Sequence, residues 1–194
     1  MGARLQNQLQ DGCGPYGRHL TGAVDRQKYY FCGGGSSVPF LLVANTDYLA
    51  PIPPPSENIV VSAFKFNVAV GGTTSFIRMA LFDMEVFPAG TLLADGGETG
   101  TDVAGIHTIA FAAQTLKRNR RYAALFCGRG VVFPQVYTNA IGWSAPSWLG
   151  GDIVSPYAIG GEIYTRANGA YPATYNGVYS TVMTAHLLLA LTLP

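Results

Sequence analysis

Ser62-Ala63-Phe64-Lys65-Phe66-Asn67-Val68-Ala69-Val70 carries a large apolar side chain at every second position from Phe64 onward, with Lys65 and Asn67 between them. A period of two puts Phe64, Phe66, Val68 and Val70 on one face of an extended chain and the polar pair on the other, which is the pattern of a half-buried strand. Gly71-Gly72-Thr73-Thr74 then supplies turn residues. Residues 76–83 alternate again, with Ile77, Met79 and Leu81 opposite Arg78. The two runs read as a hairpin.

Further strands are predicted over 105–112, 121–127, 131–133, 159–164, 178–183 and 185–193, each bounded by Gly, Pro or Asn. After residue 50 no window has a helical period, so the predicted fold is all-β, an antiparallel jelly-roll-like β-sandwich. In 185–193, Leu187, Leu189, Leu191 and Leu193 share one face, and the other face (His186, Leu188, Ala190, Thr192) is uncharged as well. A strand of that kind is expected to be covered on both sides, in the middle of a sheet or at a subunit interface.

Upstream the texture changes. Gly12, Gly14, Gly17, Gly22 and Gly33-Gly34-Gly35 interrupt every period, and Ala50-Pro51-Ile52-Pro53-Pro54-Pro55 reads as a stiff extended stretch unsuited to a central strand. The expected organisation is an irregular N-terminal arm for anchoring or assembly over 1–50 and a sandwich over 51–194. Residues 1–10 have no apolar core of a signal peptide, and the longest apolar run, 187–191, is too short to insert in a membrane.

The 194-residue chain is 48% hydrophobic and 12% charged, with 24 glycines, so it has little charge with which to solvate its own surface. Burial in an assembly follows as the expectation. A net charge of +1 makes no electrostatic case for nucleic acid. The one dense basic run, Lys117-Arg118-Asn119-Arg120-Arg121, reads as a solvated turn. Cys13, Cys32 and Cys127 are an odd set without a CxxC pair, which favours free thiols over a disulfide framework or a metal site, with a Cys13–Cys32 bridge left open.

Residues 77–126 carry a resemblance. Ile77-Arg78-Met79-Ala80-Leu81-Phe82-Asp83 is followed by Phe87-Pro88-Ala89-Gly90-Thr91-Leu92-Leu93-Ala94-Asp95-Gly96-Gly97, then Gly105-Ile106-His107-Thr108-Ile109, a polar turn and Tyr122-Ala123-Ala124-Leu125. This resembles the jelly-roll domains of tailed-bacteriophage virion surface proteins, of tail-fibre, spike or decoration type. Phe82 stands where those domains usually have Tyr, and the basic run replaces their usual Pro-Gly turn. Proteins of this kind are commonly trimers, so the resemblance implies a homo-oligomer, expected as a homotrimer, located in the virion; the irregular arm 1–50 is the segment expected to contact other virion proteins.

Candidate chemistry is sparse. Gly12-Cys13-Gly14-Pro15-Tyr16-Gly17 fits a dinucleotide fingerprint only formally, because Pro15 removes a backbone donor and no strand precedes it. Asp95, Glu98 and Asp102 concentrate carboxylates in a segment that reads as a loop able to hold calcium or simply to be solvated. Asp83, Glu85, Asp152 and Glu162 are the acids near strands that a glycosidase could use, and no nucleophile elbow accompanies His19, His107 or His186. No enzyme, cofactor or metal is therefore expected.

The aromatic-rich region 133–179 suits glycan recognition, with Tyr137, Trp143, Trp148, Tyr171 and Tyr175 as candidate stacking residues; packing within the sandwich is the competing reading. The functional expectation is a non-enzymatic virion structural protein, of tail-fibre or spike type, that touches host-surface glycans. A capsid decoration or tail-adaptor protein and a free carbohydrate-binding module are the alternatives.

Overall fold

A computed structural model describes residues 29–32, 37–43, 46–52, 54–55, 57–86, 89–140, 162–165, 169–176, 185–187 and 189–192. The described secondary structure is all strand: β1 (Tyr29–Cys32), β2 (Ser37–Leu41), β3 (Thr46–Ile52), β4 (Ile59–Val70), β5 (Phe76–Asp83), β6 (Ala89–Gly100), β7 (Gly105–Leu116), β8 (Tyr122–Arg129), β9 (Gln135–Ala140), β10 (Glu162–Thr165), β11 (Thr174–Asn176), β12 (Ala185–Leu187) and β13 (Leu189–Thr192).

Eight consecutive strands, β2 to β9, form two antiparallel four-stranded sheets. One runs β2-β9-β4-β7. The other runs β3-β8-β5-β6. Successive strands switch sheets except between β5 and β6, which is the doubled Greek key of a jelly roll. The first sheet is widened by β12 on β9, β13 on β4 and β1 on β13. The second is widened by β10 on β3 and β11 on β6.

The period-two reading accounts for the interior. Phe64, Phe66 and Val68 of β4, with Ile109, Val136 and Leu191, face Tyr48, Ala50 and Ile52 of β3, Ile77, Met79 and Leu81 of β5, and Tyr122, Ala124 and Phe126 of β8. Tyr48 stacks on Phe126 with ring centroids 5.3 Å apart. The other face of the second sheet is apolar too: Leu49, Ala80, Phe82, Ala123 and Leu125 lie there beneath Tyr171 and Tyr175. The last strand is in the interior of its sheet, since β13 lies between β1 and β4, and Leu191 faces the core.

Three expectations need correction. β4 and β5 are not a hairpin, because they belong to different sheets and 71–75 cross the end of the sandwich. The jelly roll begins at β2, inside the stretch read as an arm, and β3 carries Pro51 at a position paired only with Ala123 of β8 among the described strands. A proline without an N–H fits there, beyond the reach of β10, which pairs with β3 at Tyr48 and Thr46. Residues 131–133, read as a strand, are a bend before β9. Residues 1–28 and the predicted strand at 178–183 lie outside the described residues.

Candidate interaction surface

The alternation of strand direction sends the β2–β3, β4–β5, β6–β7 and β8–β9 connections to one end of the sandwich. Backbone hydrogen bonds knit them: Gly72 N–H donates to Thr101 O (3.2 Å), Thr101 N–H to Ser75 O (2.8 Å), Val132 N–H to Thr73 O (3.3 Å) and Leu42 N–H to Pro134 O (3.3 Å). Gly71 and Gly72 permit the approach, since a Cβ on Gly71 would come within 2.1 Å of Asp102 O and one on Gly72 within 2.0 Å of Val132 O. Buried Ser75 and Thr101 share a hydroxyl hydrogen bond of 2.8 Å. Asp102 accepts from Ser75 N–H (2.9 Å). His107 Nε2–H donates to Val103 O (2.9 Å) and its ring lies over Phe66.

This knitted end is apolar on its outside. Leu41, Val43, Val70, Val103, Ile106, Val131 and Val132 are exposed there, and Val60 and Val86 are the other two exposed large apolar residues among those described. Val103, Ile106 and Val131 are 71%, 72% and 79% exposed. Leu41 and Val70 flank the same residue, Gln135, so the patch is continuous across the strands. A soluble domain normally scatters such residues singly, whereas a contiguous apolar patch marks a contact surface.

The opposite end, formed by the β3–β4, β5–β6 and β7–β8 connections, is charged. Asn119 N–H donates to Pro55 O (2.8 Å), Arg118 N–H to Asn58 Oδ1 (2.8 Å) and Met84 N–H to Arg121 O (2.9 Å). Arg120 pairs with Asp83 (2.9 Å) and Glu85 (3.4 Å). Lys117 and Arg118 are exposed. Burial pushes the Tyr122 phenol up, although its oxygen accepts the Lys117 N–H at 2.7 Å. The basic run is therefore a turn, partly neutralised by its own acids.

No family model and no curated protein matches the chain. The function must be read from the surface itself.

Of the residues singled out for glycan binding, the three among the described residues lie on two different sheets. Tyr137 lies next to inward-facing Val136, so it is on the outer face of the first sheet, half-buried and in register with Pro39. Tyr171 and Tyr175 are on the outer face of the second sheet, 4% and 5% exposed, each edge-on to Phe82 at 5.9 Å. With both rings packed inside, neither has a flat face for a sugar, and the packing reading describes them. Trp143 and Trp148 lie outside the described residues.

The acids are tied to protein groups. The segment read as a calcium loop is mostly strand β6, in which Asp95 accepts from Arg78 (2.6 Å), Gly97 N–H (2.9 Å) and Tyr171 N–H (3.0 Å). Burial alone would raise the Asp95 carboxyl, but Arg78 and the two backbone donors outweigh it and hold the group below its ordinary value. Glu98 pairs with Arg78 and Arg129. Among the described residues no three His, Cys, Asp or Glu side chains form a group able to hold a metal ion. Asp152 and His19 lie outside the described residues, and Cys127 is in no disulfide.

The valines of the apolar end were missed in the sequence because they sit in connections, where apolar residues have no period to betray them. The available signal was their placement beside turn glycines, as in Gly130-Val131-Val132.

Proposed function

We propose that this chain is a non-enzymatic structural protein of a tailed-phage virion, of tail-fibre or spike type, working as a homo-oligomer. The observation that carries the reading is the bipolar jelly roll. One end is rigid, apolar and exposed, and the other is charged, as suits a building block with an inside and an outside rather than a freely diffusing monomer. The stretch that resembles phage surface domains spans β5 to β8, one continuous half of the jelly roll. For the non-catalytic part of this reading, two of the candidate acids, Asp83 and Glu85, are both engaged in ion pairs with Arg120.

The test is to label intact tailed-phage particles with antibody to this protein and image them by electron microscopy. Label at regular positions on the particle surface is the expected result. Protein found only free in the lysate, with particles unlabelled, would overturn the proposal.

A further inference from the structure

We infer that the segment 169–176 is a clip that leaves and re-covers the outer face of the second sheet as one unit while the jelly roll beneath it stays folded. The inference goes beyond the assembly reading and does not depend on it.

Three observations lead to it. The first is that the clip has an apolar cluster of its own. Tyr171 and Tyr175 pack on the outer-face residues around Phe82 and Leu125, a group separate from the one between the two sheets. Undocking the clip therefore uncovers the outer group and leaves the inner one intact. The second is how few side chains seat it. Tyr171 and Tyr175 are buried, whereas Gly169, Ala170, Pro172, Ala173 and Thr174 are exposed. Elements that bury little apolar surface open locally, at a lower free energy than the whole domain unfolds.

The third observation is that the sheet forms the seat by itself. Tyr171 N–H donates to Asp95 Oδ2 (3.0 Å) and its hydroxyl to Asp47 Oδ1 (3.2 Å). Asp95 is also bonded to Arg78 and to Gly97 N–H, contacts that lie within β5 and β6 and do not involve the clip. Leu92 N–H donates to Ala173 O (2.9 Å) between the two rings. At the other prong, Tyr175 is in register with Gly90 of β6. An added Cβ on Gly90 would lie 2.6 Å from Met84 Sδ and 3.3 Å from Phe82, so a side chain there would push on the ring against which Tyr175 packs. A seat organised in advance lets the clip return without rearranging what lies beneath it.

Native-state hydrogen exchange, read amide by amide from 0 to about 1 M urea, tests it on wild-type protein and on Val136→Ala. The clip reporters are the amides of Leu92 and Tyr171, and the jelly-roll reporters are those of the central strand β8. Val136 is fully buried between the sheets, so its truncation weakens the jelly roll equally whether the clip is seated or open. In wild type, the clip amides are expected to exchange about a hundredfold faster than the slowest β8 amides and to respond hardly at all to urea. Val136→Ala is expected to speed the β8 amides about tenfold and to leave the clip amides within about twofold of wild type. Should that variant not fold, the milder Ile109→Val in the same cluster is read in the same way, with a smaller acceleration confined to β8. Clip and β8 amides that share one rate and one urea dependence, or a core variant that speeds both alike, would overturn the inference by making 169–176 part of a single cooperative unit.

Discussion

Thr74 shows what holds the apolar end in shape. A left-handed conformation costs a non-glycine residue about 1–2 kcal/mol, and a branched Cβ makes it worse. It persists because Val132 N–H is bonded to Thr73 O and Gly130 lies against the Thr74 carbonyl. Asn tolerates this region far better, so Thr74→Asn is expected to stabilise the domain by about 1 kcal/mol, read as a higher urea midpoint at unchanged slope. Asp95 makes a second prediction at this scale. Its carboxyl is depressed in the folded protein, so it adds stability above the unfolded value near pH ~4, lost as pH falls through the lower folded value. Wild type should therefore exceed Asp95→Asn in stability at pH 7, and the gap should close below pH ~4. Denaturant curves at several pH values check this, and a gap that widens in acid would contradict it.

Among the elements, the segment 169–176 is the clearest case of an aromatic pair whose role depends on context. Tyr171 reaches from Asp95 on β6 to Asp47 on β3, its hydroxyl donating to Asp47 Oδ1 at 3.2 Å, while Tyr175 sits on Phe82. Replacing either ring with Ala is expected to cost ~3–5 kcal/mol, as buried aromatic truncations do, and thermal melts of the two variants measure it. A melting temperature within a degree or two of wild type would mean that the rings are not part of the core. Rings on irregular segments have no period, so sequence could not separate packing from display.

The strands were legible where alternation was strong: β5 has the predicted bounds, and β4 extends the predicted run by three residues. Partnering was not legible, since a period of two says which face is buried and not which strand lies alongside. Gly96 explains why β6 was read as a loop. It faces the core where a Cβ would lie 2.5 Å from Ile109 Cγ2, so a residue with no strand propensity is required there by packing. In β3, Tyr48, Ala50 and Ile52 alternate inward, but Pro51 and the glycines upstream pointed to an arm.

For the whole molecule, a jelly roll whose exposed apolar residues concentrate at one end shows where a chain with 12% charged residues keeps its apolar surface. Seven of the nine exposed large apolar residues among those described sit at that end, the others being Val60 and Val86. Amide hydrogen exchange, followed by mass spectrometry above and below the concentration at which the protein associates, tests most directly whether that end is the contact surface. The account predicts that amides of 71–75, 101–104 and 130–134 slow on association while those of 84–86 and 117–121 do not change. Protection that appears at the charged end, or nowhere, would contradict it.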